Sequence, residues 1–215
     1  MLENILYLFL LFIIYSFLGW FIETSLILIR AKRVVNRGFL MGPYCPIYGF
    51  GALILISILP GYIGNPIGLF IVFAVYATVL EYFTSFLMEK LFNARWWDYT
   101  YSKFNINGRV CLENSLAFGT LGVVTGYYIH PVVVYLLGLL EPNILIIISI
   151  ILALIFFIDL CITFKIVSRL RKNIVLINKD MTEDISEHIM RVVQNNHFVK
   201  AFPLLKQTID KIIKK

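Results

Sequence analysis

Five apolar runs, separated by short polar segments, dominate the pattern of hydrophobic and polar positions along this chain. They cover roughly residues 5–29, 46–59, 67–87, 115–140 and 143–164. A helix needs about 20 apolar residues to cross a bilayer core of about 30 Å, and four of the runs reach that length. The second run is short, so we expect it either to extend through residues 41–46 or to form a broken or re-entrant segment packed within protein. The pattern predicts an all-α, polytopic membrane protein with about five transmembrane helices.

The overall composition agrees with this interpretation. The chain has 215 residues, 60% of them hydrophobic, and its mean hydropathy of +0.84 is too high for an ordinary soluble domain of this length. The first apolar run follows an acidic start, Met-Leu-Glu-Asn, and no small-residue cleavage site follows a short core. We therefore expect the mature protein to keep its first helix.

The basic residues are distributed so that all 19 can lie on one side of the membrane. Four lie between runs one and two, four lie between runs three and four, and eleven lie from residue 165 to the end. The short links at residues 60–66 and 141–142 contain none. Because lysine and arginine are retained on the cytoplasmic side, this distribution predicts an N-terminus outside and a C-terminus inside.

The formal net charge of +6 raises the question of nucleic-acid binding. No nucleic-acid recognition motif accompanies the charge. The cytoplasmic retention of basic residues and their attraction to anionic lipid head groups explain it more simply. We therefore expect membrane lipids, and no nucleic acid, among the partners.

The chain is expected to have two parts, a transmembrane helical domain at residues 1–167 and a basic cytoplasmic tail at residues 168–215. In the tail, Asp180 followed three residues later by Glu183 resembles a helix start with a capping box. A second short helix is expected to open at Pro203. Its apolar stripe consists of Leu205, Ile209 and Ile212. We expect this amphipathic helix either to lie on the inner leaflet or to dock on a partner protein.

Carboxylates occur inside the apolar runs, although a charge in a membrane span costs about 2.5–3.5 kcal/mol even on the lenient insertion scale. Glu23, Glu81 and Asp159 each lie in the cytoplasmic half of a different run. Their spacing from the next basic residue places all three roughly 9–14 Å inside the cytoplasmic boundary. We expect a polar cluster that faces the bundle interior, with Glu113 nearer the boundary.

The two long cytoplasmic loops are too particular in sequence to be plain connectors. In the first, at residues 36–51, glycines and prolines predict a defined non-helical path. Such backbone near a membrane must be buried in protein or line a wet cavity. The second, at residues 95–109, is rich in aromatic and polar side chains. The candidate binding residues of these loops are Arg37, Tyr44, Tyr48, Arg95, Asp98, Asn107 and Arg109.

The arginines and carboxylates allow two interpretations. In the first, they form a neutralised structural network, with Arg37, Arg95 and Arg109 pairing with Glu23, Glu81 and Glu113. In the second, they line a cytoplasm-facing pocket whose arginines hold a carboxylate or phosphate group of a ligand. The candidate substrate-binding set of that pocket is Glu23, Arg37, Tyr44, Tyr48, Glu81, Arg95, Asp98, Asn107, Arg109, Glu113 and Asp159.

Runs one and three also resemble each other. Each has a glutamate in its cytoplasmic half, followed fourteen residues later by an arginine. The pairs are Glu23 with Arg37 and Glu81 with Arg95. Each connecting loop then leads to a helix start that holds a Phe-Gly pair, at residues 50–51 and 118–119. Parallel repeats of helical hairpins occur in membrane proteins, so the spacing is explained either by an internal duplication or by coincidence.

The chain offers few signals of chemistry. It lacks a Gly-x-x-x-x-Gly-Lys-[Ser/Thr] phosphate loop, so any ATP hydrolysis must come from a separate subunit. No zinc-type histidine spacing and no paired nucleophile and base are evident, so no catalytic residue is assigned and no metal or cofactor is expected. Cys45, Cys111 and Cys161 map to a reducing side, where we expect buried thiols rather than a disulfide framework.

Several segments together resemble a known family. They are Gly19-Trp20 with Glu23, the stretch 36–51, Glu81-Tyr82, residues 89–91, the stretch 95–99 and residues 107–109. Over roughly residues 10–140 the chain is similar to the small bacterial membrane proteins of the putative ABC-transporter type IV (CmpB-like) family. The resemblance implies a multi-pass protein of the bacterial cell membrane and the permease of an ATP-driven transporter. It carries over no substrate and no catalytic residue.

Three functions are therefore open at the level of sequence. The first is a permease-like component of a transporter with a cytoplasm-facing polar site, which would oligomerise or pair with another membrane protein and a separate ATP-binding subunit. The second is a membrane enzyme that acts on a lipid head group, since carboxylates, arginines and tyrosines gather at the inner interface. The third is a membrane scaffold or regulatory subunit, which the amphipathic tail favours.

Overall fold

The computed structural model describes residues 2–32, 36, 38–92 and 95–177. Its helices are α1 (Leu2–Ala31), α2 (Pro46–Ile58), α3 (Pro66–Phe92), α4 (Leu112–Val124), α5 (His130–Gly138) and α6 (Pro142–Ile177). A 3₁₀ turn (Leu59–Tyr62) follows α2, and a π-helical turn (Thr125–Ile129) joins α4 to α5. A short antiparallel hairpin of β1 (Asn105–Ile106) and β2 (Val110–Cys111) precedes α4. The predicted all-α fold is confirmed.

Four helical stretches among the described residues are long and apolar enough to cross a membrane. They are Glu3–Ile29, Pro66–Leu91, Leu112–Gly138 and Pro142–Ser168. The stretch that corresponds to the second apolar run, Pro46–Tyr62, is shorter. The 13 residues of α2 and the four residues of the 3₁₀ turn together span about 28 Å, which is nearly the thickness of a bilayer core. The chain is therefore a helical membrane protein whose described residues form four full-length spans and one shorter apolar helix, which corresponds to the run that was predicted to be short.

The helix boundaries follow from elementary chain chemistry. Proline is the first residue of α2, α3 and α6, where its fixed φ suits the helix and its missing N–H would have had no partner. At its other end α6 continues to Ile177, past the expected boundary between membrane domain and tail at residues 167 and 168. The tail helices predicted from residue 180 onward lie outside the described residues.

The helices form two antiparallel hairpins, α1 with α2 and α3 with α4. We call the connections loop A (residues 32–45) and loop B (residues 93–111). The two loops lie at the same end of the molecule, where the ring of Phe39 in loop A stacks edge-on against Trp96 in loop B, with 5.5 Å between centroids. α6 packs along the outside of α1, where Phe156 contacts the rings of Phe9 and Phe12.

The hairpins resemble each other in structure as well as in sequence. α2 and α4 each contain 13 residues, and each is followed directly by a non-α turn. Each also presents a glycine to the backbone of the preceding long helix. A Cβ at Gly49 would lie 2.6 Å from the Phe12 carbonyl oxygen, and one at Gly119 would lie 3.0 Å from the Phe70 carbonyl oxygen. The close glycine contacts hold each hairpin together and leave the space between the hairpins for a cavity.

Candidate functional site

Glu23 on α1 is held by a tyrosine from α2. A Cβ at Gly19 would lie 2.2 Å from Cγ of Tyr48, so only glycine lets this ring lie against α1. From that position the Tyr48 hydroxyl donates a hydrogen bond of 2.7 Å to Glu23 Oε1. The N–H of Cys45 donates to the Ser16 carbonyl at 2.9 Å and anchors the start of α2. The contact between α1 and α2 therefore fixes both the carboxylate and its donor.

Glu81 on α3 is held in the same way, but its donor comes from loop B. The Tyr99 hydroxyl donates a hydrogen bond of 3.1 Å to Glu81 Oε1. The pKa of Tyr99 lies far above its ordinary value, mainly because the phenol is buried and also because it is hydrogen-bonded to the charged Glu81. The phenol therefore keeps its proton. Glu81 itself is only 4% exposed. Its Oε2 is buried and has no hydrogen-bond partner among the described residues, although the Asn114 amide lies close enough to interact with the carboxylate.

The two carboxylate–tyrosine pairs are neighbours. The charge of Glu23 acts on Glu81 and also on the Tyr99 phenol. The two carboxylates are therefore close enough for their charges to interact, and each has a tyrosine as its hydrogen-bond donor. Because like charges repel strongly away from water, this region favours a proton or another positive group between them.

A cavity of about 80 Å³ lies between the two hairpins, and Glu81 and Tyr48 contribute to its wall. Most other wall residues are apolar and come from the four hairpin helices and the π-helical turn. Tyr48 and Phe118 face each other across the hairpins with 6.1 Å between ring centroids. The cavity thus combines a hydrophobic interior with a buried acidic group.

Tyr15, another wall residue of the cavity, connects it to the π-helical turn. The Tyr15 hydroxyl lies 3.0 Å from Nδ1 of His130, the first residue after that turn. π-helical turns inside helices occur often at functional sites because they change the direction of nearby side chains. His130 therefore has the Tyr15 hydroxyl as its partner.

The arginines of loop B do not reach the glutamates that were expected to neutralise them. Arg95 Nε and Arg109 Nη2 both contact Glu89 Oε2, at 3.1 and 2.7 Å, and Arg95 also lies 3.7 Å from Asp98. The expected pairs of Arg95 with Glu81 and of Arg109 with Glu113 are therefore wrong. Arg109 in addition lies over the rings of Tyr82 and Phe86.

The turn in loop B gives the physical reason for this pairing. Asn107 and Gly108 have φ of 54° and 67°, and the Arg109 N–H donates to the Ile106 carbonyl at 3.0 Å, which defines a tight hairpin turn. The turn brings Arg109 back to the end of α3. There Glu89 is close, whereas Glu81 lies eight residues deeper in the helix.

Asp159 on α6 does not join the other carboxylates. Its two oxygens accept backbone hydrogen bonds from loop A, at 3.0 Å from the Met41 N–H and 2.7 Å from the Gly42 N–H. Thr163 supports the same contact at 3.1 Å from Asp159 Oδ1. The expected cluster of three carboxylates at one depth is therefore reduced to Glu23 and Glu81, and Asp159 fixes loop A to α6.

The other candidate residues have structural partners or stand apart. Asn107 donates to the Tyr82 hydroxyl at 2.9 Å, and Asp98 accepts from the Thr100 N–H and hydroxyl. Burial, and then the charge of Asp159, raise the pKa of Tyr44. Glu113 is exposed in the first turn of α4. Arg37 lies outside the described residues.

Some contributors were not in the predicted set. They are Tyr99, Glu89 and Tyr15. Cys45 and Cys111 are buried as expected, whereas Cys161 is exposed on α6. Within the described ranges, no three histidine, cysteine, aspartate or glutamate side chains converge in a way that could hold a metal ion.

Comparison with known proteins gives one match. The family model described as Putative ABC-transporter type IV matches residues 10–164. No curated protein and no solved structure matches the chain. The matched region includes α2 to α5, most of α1, most of α6, and therefore the whole wall of the cavity.

Proposed function

Because this chain belongs to the Putative ABC-transporter type IV family, we propose that it is a permease-like component of a transporter in the bacterial cell membrane. The cavity between the two hairpins is its substrate-contacting site. Glu81 is the acidic group in the wall of that site and Glu23 lies near it, and Tyr99 and Tyr48 hold the two carboxylates in position. The chain carries no phosphate loop, so a separate ATP-binding subunit supplies the energy.

The burial of Glu81 is the observation that carries this proposal. An ionisable group inside a membrane span is expensive, and such groups commonly mark substrate or ion pathways. A purely structural glutamate would be expected to have both oxygens satisfied, as both oxygens of Asp159 are. Glu81 instead keeps Oε2 without a hydrogen-bond partner among the described residues, beside a cavity.

The distribution of basic residues supports an orientation for this site. Eight of the basic residues, from Arg30 to Arg109, lie in loops A and B or in the helix ends next to them, and the remaining eleven lie from Lys165 to the end. With these segments in the cytoplasm, the Glu23 and Glu81 ends of α1 and α3 face inward. The site then lies nearer the cytoplasm, where an ATP-binding subunit would assemble against the loops.

Transport by energised membrane vesicles tests the proposal. Vesicles are prepared from cells that carry the wild-type chain, no chain, Glu81→Gln, or Glu113→Gln as the matched control. Solutes that accumulate on addition of ATP are then compared by mass spectrometry. We expect a solute that depends on the wild-type chain and on Glu113→Gln but is lost with Glu81→Gln. If no solute depends on the chain, or if Glu81→Gln transports normally, the proposed role of the cavity is wrong.

Orientation is tested separately by labelling single cysteines in a cysteine-free background. Asn65→Cys lies between α2 and α3, and Ser102→Cys lies in loop B. An impermeant maleimide should reach the first in intact cells and the second only after permeabilisation. The reverse pattern would place the site on the outer side.

A further inference from the structure

The cavity has two chemically different parts, and together they restrict what can bind there. Its exposed wall is almost entirely apolar, with contributions such as Leu55, Phe73 and Leu121. Its acidic part is the Glu81 carboxylate, with Glu23 close enough for the charges to interact. A ligand that satisfies both parts must be mostly apolar and must carry one group that donates hydrogen bonds to carboxylates.

The sign of the ligand charge follows from the groups around Glu81. The groups known to act on it are the Tyr99 hydroxyl, the Asn114 amide and the Glu23 carboxylate, none of which is a cation. The nearest arginines of loop B are engaged by Glu89. A charged group between Glu23 and Glu81 is therefore favoured if it is positive, and an anionic ligand is disfavoured by both carboxylates.

The aromatic part of the wall is also suited to a cation. Tyr48, Phe73 and Phe118 all line the cavity, and a cation near aromatic faces gains electrostatic stabilisation that increases when water is excluded.

The size of the cavity limits the size of the ligand. Its volume is about 80 Å³, and one water needs roughly 10–15 Å³ on the same measure. It therefore accommodates on the order of five water-sized groups.

We infer that the cavity is a binding site for a small alkylammonium cation, with the ammonium on Glu81 and the alkyl chain along the apolar wall. This inference rests on the proposed function, because it names the substrate class of the same site. The ammonium group donates to the Glu81 carboxylate, whose Oε1 is held by Tyr99, and Tyr48 holds Oε1 of the nearby Glu23.

Binding is measured by isothermal titration calorimetry on the full chain in an uncharged detergent, with n-butylammonium as the probe. n-Butanol has the same shape without the charge, and sodium has the charge without the apolar part. We expect saturable binding of n-butylammonium and none of n-butanol or sodium. Saturable binding of n-butanol with equal affinity, or no binding of n-butylammonium to the wild-type chain, would overturn the inference.

Glu81→Gln and Glu113→Gln then locate the site. Loss of a charge-assisted hydrogen bond should weaken n-butylammonium binding about ten-fold or more in Glu81→Gln and leave it unchanged in Glu113→Gln. Both variants are first shown to be monodisperse by size exclusion. If Glu81→Gln does not give soluble protein, Tyr99→Phe is used, for which we expect a smaller loss in the same direction. Equal affinity in the soluble variant and the wild type would overturn the inference.

Arg37 is the basic residue of the predicted set that lies outside the described residues, so Arg37→Gln is included. We expect this variant to bind n-butylammonium as the wild type does. Binding that appears only in Arg37→Gln would overturn the inference, since the chain would then supply its own cation. If n-butylammonium does not bind but vesicle transport depends on Glu81, only the ligand class is rejected. If n-butylammonium binds but the vesicles transport no solute, only the transporter role is rejected.

Discussion

The hydroxyl of Tyr99 lies 3.1 Å from Oε1 of Glu81, so a side chain from loop B holds a carboxylate that is buried in α3. Tyr48 does the same for Glu23 at 2.7 Å, from the start of α2. Each hairpin therefore supplies one carboxylate and one phenol to the same region. This arrangement fixes the position of the Glu81 carboxylate in the wall of the cavity.

Tyr99→Phe tests that support, because it removes only the hydroxyl group that donates to Glu81. The buried Glu81 carboxylate would lose a hydrogen bond, which we expect to lower the free energy of unfolding by about 1–3 kcal/mol. Tyr101→Phe is the matched control, because Tyr101 is fully exposed in the same loop. Denaturant titration in mixed micelles measures both. Equal stability of the two variants would show that Tyr99 does not support Glu81.

Gly19→Ala tests the contact between α1 and α2. The added methyl group would lie 2.2 Å from Cγ of Tyr48, near the ring's attachment to the backbone, so the helices must separate. We expect a loss of about 1–3 kcal/mol in stability, which is typical of overpacking. Gly138→Ala has open space around its Cβ and serves as the control. A Gly19→Ala protein as stable as the control would contradict this packing.

Much of the fold was predictable because apolar run length and proline position act locally along the chain. The runs locate the helices, and Pro46, Pro66 and Pro142 mark three of their first residues. The shortness of α2 was visible in the same way. The π-helical turn before His130 was not predictable, because a single wide turn depends on how α4 and α5 pack and not on periodicity.

Asp159→Asn tests the attachment of loop A to α6. The amide has one acceptor oxygen, and its NH₂ group would face either the Met41 or the Gly42 N–H, both of which now donate to the carboxylate. We expect faster amide hydrogen exchange over residues 38–44 in this variant. Residues 99–104 of loop B provide the internal reference. Unchanged exchange in both segments would show that Asp159 does not restrain loop A.

Glu89→Gln tests the ion pairs at the end of α3. Arg95 and Arg109 would lose the carboxylate that they share, and Asp98 alone would remain near Arg95. Because Glu89 is about one-third exposed, we expect a modest loss of about 1–2 kcal/mol that becomes smaller at high salt. Glu113→Gln should stay within about 0.5 kcal/mol of the wild type. A loss that does not depend on salt would contradict an electrostatic role.

The candidate site was only partly predictable, because contacts between distant parts of the chain do not follow from local sequence patterns. Glu23 and Glu81 were identified because charges inside apolar runs are rare and costly. The partner of Glu81 was not predicted, because the position of an arginine in a loop sequence says nothing of how the loop folds back. The Asn107–Gly108 turn directs Arg109 to Glu89, and the side chain that reaches Glu81 is instead Tyr99.

Recovery of partners in a mild-detergent pull-down of the tagged, natively expressed chain tests the transporter assignment most directly. We expect reproducible recovery of a subunit that contains a Gly-x-x-x-x-Gly-Lys-[Ser/Thr] phosphate loop, with the wild type and with Glu81→Gln alike, because Glu81 lies inside the bundle. Recovery of the chain without such a subunit, while a known membrane complex from the same cells stays intact, would contradict the assignment to an ATP-driven transporter.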